Sequence, residues 1–162
     1  MRRLLMTPVQ ATLTGVVIAS ALVLTAQADT PEEISARVLA AQDEDGLLAT
    51  WDSWHPEATH RIILKYGTEQ EDDVFIYRVG DVAAATDAEL PRDLEDYKET
   101  ERSKPKMTTR TEDEVHHVTA VTDVEYDWQG YAGKMRQTDE FAFETYLGGM
   151  VIRSLTTTYD YR

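Results

Sequence analysis

The chain has 162 residues, 30 of them acidic against 16 basic, no cysteine, and a net charge of −14 at neutral pH. It can form no disulfide, offers no thiolate chemistry and has no site for lipid attachment through cysteine. Its charge repels nucleic acid and anionic lipid at long range, and the excess acid reads first as a solubility device.

The chain opens on Met1-Arg2-Arg3, runs uncharged and apolar from Leu4 to Ala28, and closes that run with Ala26-Gln27-Ala28 before Asp29. A basic start, an apolar middle and a small-x-small end predict a signal peptide cleaved after Ala28 and a periplasmic or secreted protein. The strongly apolar part, Leu13 to Thr25, is short for a membrane span of about 20 residues, and an uncleaved anchor is the alternative. Loss of Arg2 and Arg3 with the leader takes the net charge from −14 to −16. Residues 29–162 are expected to form one domain with its own core and no membrane association after signal removal.

Thr30-Pro31-Glu32-Glu33 opens a helix: Thr30 caps, Pro31 suits the first helical position, and the glutamates suit the positive end of the dipole. Ile34, Val38, Leu39 and Ala41 make its apolar stripe, and it should end between Asp43 and Gly46. A short second helix is expected over Leu47, Leu48, Trp51 and Trp54 on one face, ended by Pro56. His55 to Thr59 reads as a turn, Arg61 to Tyr66 as a strand, Gly67 to Asp73 as a loop and Val74 to Val79 as a strand. Between Ala83 and Lys106, Asp93, Leu94, Tyr97 and Lys98 fit one turn-rich helix, with a solvated loop as the competing reading. Met107 to Glu112 leads into the core strands.

Those strands run from Glu114 to Tyr161. From His116 to Trp128 one face carries His116, Val118, Ala120, Thr122, Val124, Tyr126 and Trp128, and the other ends in Asp123, Glu125 and Asp127, which should meet water. A turn near Tyr131, a strand from Met135 to Leu147, a Gly148-Gly149 hairpin turn and a strand from Met150 to Tyr161 complete a meander. With the first hairpin centred near Tyr131, Tyr126 lies near Gln137, Val124 near Asp139 and Thr122 near Phe141. Asp139, Gln137, Tyr126 and Thr158 then converge at the rim of an apolar face, as in a small-molecule pocket.

The helix, the acidic turn Asp43-Glu44-Asp45-Gly46-Leu47-Leu48 and the entry Trp54-His55-Pro56-Glu57-Ala58 together resemble the nuclear transport factor 2-like superfamily, which includes ketosteroid isomerases and polyketide cyclases. The meander ending in Gly148-Gly149-Met150-Val151-Ile152 is similar to that family's return strand. The resemblance implies an α+β cone: N-terminal helices on a curved antiparallel sheet, a pocket on the concave side, and homodimers through the outer face. It fixes no mechanism. The isomerases pair a carboxylate base with an oxyanion hole, and a second acid to complete that set is not identifiable here.

Asp139 is the candidate base and Tyr126 the candidate hydrogen-bond donor. On a buried face a carboxyl pKa rises, which suits proton transfer, but a structural carboxylate paired with Arg136, Lys134 or a backbone amide is the plainer reading. The ligand-binding candidates are Trp54, His116, Thr122, Trp128, Gln137, Phe141 and Thr158, although Trp51, Trp54, Phe141 and Phe143 are most simply core. His116 and His117 are adjacent on a strand and point to opposite faces, so they do not chelate one ion. His55 and His60 lack a third ligand, and Glu69, Glu71, Asp72 and Asp73 lack the fixed pattern of a calcium loop. No metal and no cofactor are expected, and the phosphate-loop and hydrolase motifs are missing. Three readings follow: a domain binding a small apolar or amphipathic molecule, an isomerase or cyclase using Asp139, or an interaction module using the outer sheet face.

Overall fold

The computed structural model describes residues 29–44, 47–67, 70–84 and 96–162. It is an α+β fold in which a curved, unclosed sheet carries helices on its inner face. The elements are α1 (Pro31–Glu44), a 3₁₀ turn (Leu47–Ser53), β1 (Trp54–Lys65), β2 (Asp73–Arg78), α2 (Val79–Ala84), β3 (Tyr97–Arg102), β4 (Lys106–Glu112), β5 (Val115–Trp128), β6 (Tyr131–Tyr146) and β7 (Gly149–Tyr161). The strand order is β2-β1-β7-β6-β5-β3, with β4 also on β5. Among the described residues only β1 and β7 pair in parallel.

The opening of α1 follows its sequence. Glu33 N–H donates to Thr30 Oγ1 (3.3 Å) and the Glu33 carboxylate accepts from Thr30 N–H (2.8 Å), a reciprocal capping box. The buried stripe Ile34, Val38 and Leu39 packs with Val118, Ala120, Phe141, Phe143, Ile152 and Leu155 in the core. The expected alternation on β5 holds: Val118, Ala120, Thr122 and Val124 are buried, and Asp123 is exposed.

The turns differ from expectation in ways that move the register. The first hairpin turns at Gln129-Gly130, both with positive φ (54° and 82°), so Trp128 faces Tyr131 directly. This is a tight two-residue turn whose hand matches strand twist. Pairing therefore runs Thr122↔Gln137, Ala120↔Asp139, Val118↔Phe141 and Tyr126↔Gly133. The slip from the expected register is even, so every side chain keeps its face while its neighbours change. The second turn is Leu147-Gly148 (φ 50° and 83°), one residue earlier than expected. A bulge then separates the pairs Phe143↔Ile152 and Ala142↔Ser154. Together these set Thr157 opposite Asp139 and turn Thr158 to the outer face.

Other expectations fail locally. Trp54 begins β1 and is buried, whereas Trp51 is 39% exposed, so the two do not share a helical face. Pro56 sits inside β1, in the stretch between Trp54 and Thr59 where pairing with β7 shifts register. Proline is tolerated there because the ladder is already interrupted. Tyr97 and Lys98 lie in β3, not in a helix, and Asp93 and Leu94 fall outside the described residues. The unpaired edge of β5 supplies the partner that local sequence does not reveal. The signal-peptide reading likewise concerns residues outside those described.

Candidate functional site

Beside α1 the inner face holds a cavity of about 430 Å³. Ala36, Leu39 and Ala40 of α1 form one wall, and Pro105 and Met107 the other. Thr122 and Gln137, a directly paired couple on β5 and β6, make the floor, and Arg102 and Lys104 stand at its side. An apolar cleft with a few fixed polar groups is the usual form of a small-molecule site.

The floor rests on a hydrogen-bond chain that crosses the sheet. Tyr77 lies 2.5 Å from His60 Nδ1, and His60 Nε2 lies 2.9 Å from Thr157 Oγ1. Thr157 donates to Asp139 Oδ1 (2.7 Å), and Gln137 Nε2 donates to Asp139 Oδ2 (2.9 Å). Arg102 Nη1 donates to Gln137 Oε1 (3.1 Å), while its Nε and Nη2 clamp Glu99 at 2.8 and 2.6 Å. His60, Gln137, Asp139 and Thr157 are each at most 4% exposed.

Burial holds His60 down to about 4 and pushes Tyr77 up to about 12, so at neutral pH the imidazole is neutral and the phenol keeps its proton. The directions then follow. Thr157 spends its hydrogen on Asp139 and accepts from His60 Nε2–H, leaving Nδ1 to accept from Tyr77. Gln137 is held with its carbonyl toward Arg102 and its amide toward Asp139. Burial, then the Asp139 charge, also raises Tyr159.

Glu99 and Arg102 are three apart and would point to opposite faces of a regular strand. A bulge between Glu99 and Glu101 brings both inward, which permits the two-pronged clamp.

The expected site residues divide into groups. Thr122 and Gln137 line the cavity. Asp139 has no exposed surface and lies behind Gln137, bonded to Thr157 and Gln137 and not to Arg136 or Lys134, which pair with Asp123 and Glu125. Phe141 and Trp54 belong to the core, with Phe141 stacked on Phe143. Thr158 is on the other face.

Tyr126 is remote from Asp139. Its ring lies over Gly133, where any Cβ would meet ring atoms at 2.4 Å, and it contacts Tyr97 and Tyr161. The even register slip moved it there, so Asp139 and Tyr126 form no base–donor pair. Trp128 is 45% exposed at the hairpin. His116 is half-buried at the other end of β5, 3.1 Å from Thr111 Oγ1. Among the described residues no group of three His, Asp or Glu side chains is placed to hold a metal ion. Glu69 lies outside the described residues.

Sequence reading missed His60, Thr157, Arg102, Lys104 and Met107. The alternation Ala58, His60, Ile62, Leu64 was a usable signal for His60. Arg102 had none, because its direction depends on the bulge.

No family model matches the chain, and no curated protein matches it. Among solved structures the chain is similar to the β subunit of the benzoate 1,2-dioxygenase from Burkholderia mallei ATCC 23344, with a TM-score of 0.42, 12% identity, and coverage of 83% of this chain and 93% of that one. Among the described residues no helix is long and apolar enough to cross a membrane.

Proposed function

We propose that the chain is a small-molecule-binding domain of nuclear transport factor 2-like type, with the cavity beside α1 as its binding site. The observation that carries this reading is an apolar cleft of about 430 Å³ whose floor residue Gln137 is fixed on both sides by buried partners. A pre-positioned polar group on an apolar surface lowers the ordering cost of binding. Asp139 supports binding and not proton transfer in this reading, because it anchors Gln137 and has no surface of its own.

The test is 1-anilinonaphthalene-8-sulfonate fluorescence with Ala40→Trp as the blocked variant. Ala40 is exposed on α1, so tryptophan can enter the cleft without touching the core. Saturable enhancement that disappears in Ala40→Trp, at an unchanged unfolding midpoint, is expected. Enhancement that survives the substitution defeats the reading.

We further propose export through the 1–28 leader and a homodimer through the outer face. The dimer is supported by exposed Val74 and Ile76, which pair with Ile63 and Arg61 along that face.

A further inference from the structure

Thr122 is 2% exposed and lines the cleft, and its hydroxyl makes no hydrogen bond among the described residues. Among the described residues no fully buried side-chain oxygen or nitrogen lacks a partner, so the Thr122 hydroxyl keeps its opening onto the cleft and can bond what enters it. Beside it Gln137 uses one amide hydrogen on Asp139 and its carbonyl on Arg102, so its second amide hydrogen has no acceptor among the described residues. Both groups therefore offer hydrogen to an occupant: the Gln137 acceptor is already taken, and the Asp139 carboxylate is sealed behind it. The charges lining the cleft are Arg102, already matched by the Glu99 carboxylate, and the exposed Lys104, with no carboxylate among its lining residues, in a chain of 30 acidic and 16 basic residues. This local reversal of sign, over an apolar wall of Leu39 and Met107, selects a particular chemistry.

We infer that the cleft takes an amphipathic monocarboxylate, its carboxylate accepting from Thr122 and Gln137 near Arg102 and Lys104 and its hydrocarbon lying against α1. The inference rests on the binding-domain reading above and names its ligand class. A volume of about 430 Å³ equals about fourteen waters at roughly 30 Å³ each, which suits a body of about ten to fourteen non-hydrogen atoms.

Decanoate and decan-1-ol share that body and differ at the head group. Each is titrated into the purified protein, followed by calorimetry and by NMR of the Gln137 side-chain amide and the Leu39 and Met107 methyls. Decanoate should bind at least about tenfold more tightly than the alcohol. Lys104→Met should remove about tenfold from decanoate affinity and leave the alcohol unchanged, whereas Thr122→Val, which deletes a donor either head group can use, should weaken both, decanoate by about tenfold. Thr122→Val conserves shape, and Lys104 is exposed, so at least one variant remains folded for comparison. If both ligands shift the same methyls with equal affinity, and Ala40→Trp abolishes both, the carboxylate assignment is overturned and the pocket stands. If neither shifts those methyls, or the shifts persist in Ala40→Trp, the pocket reading falls and takes the carboxylate with it.

Discussion

Arg136 and Gln137 are neighbours in the chain and belong to two different electrostatic worlds. Arg136 points outward and donates to Asp123 at 2.9 Å, next to the Lys134–Glu125 pair, with both pairs substantially exposed. Gln137 points inward and joins Asp139 and Thr157 in a buried network. The strand supplies the same backbone to both faces. Water screens the outer charges and offers substitutes for each lost partner. The inner groups have only one another, so the loss of one member leaves the others unsatisfied.

The comparison can be broken most forcefully at Asp139. Asp139→Ala orphans the donors of Thr157 and Gln137, and urea unfolding should register a loss of about 3 to 5 kcal/mol. A loss under about 1 kcal/mol would mean that the inner network carries no more weight than a surface pair.

His60 gives a smaller and pH-dependent effect. Its pKa is 6.5 as an ordinary imidazole and about 4 when folded, because burial disfavours the charged form. As pH falls below 6.5 the unfolded chain takes up the proton first, so stability is full above that value, declines toward pH 4 and is flat below. The loss is about 3 kcal/mol. Urea midpoints measured from pH 7 to 4 should show it, and His60→Gln should remove this component of the slope.

The outer pair gives the smallest effect. The Arg136 guanidinium beside Asp123 holds that carboxyl below its usual range, but both groups stand in water. Arg136→Gln should leave the unfolding midpoint near the limit of detection at low salt and unchanged at high salt. A clear loss at both salt concentrations would show that the two faces are less distinct than their exposure indicates.

Much of the scaffold was legible. The capping box at Thr30, the stripe Ile34–Val38–Leu39 and the alternation from Val118 to Val124 are local patterns that burial later honours. The choice of Asp139, Gln137 and Thr122 as inner-face residues followed from strand parity alone. Tyr126 and Thr158 failed for one kind of reason. Tyr126 missed Asp139 because a tight Gln129-Gly130 turn displaced the register by an even step. Thr158 lost its place to Thr157 because an earlier turn and a bulge combined into an odd one.

The sequence by itself determined which residues form α1, which faces of β5 and β6 are apolar, and that Asp139 lies on the inner face, since each depends on periodicity within a single segment. Tertiary structure decided who stands beside whom. The bulge between Glu99 and Glu101, the bulge after Ile152 and the edge pairing of β3 and β4 are set by contacts between segments distant in the chain. They alone bring Arg102, Gln137, Thr157 and His60 into one line. A period-two pattern tells a side chain which face to take, but only the partner strand fixes its neighbour.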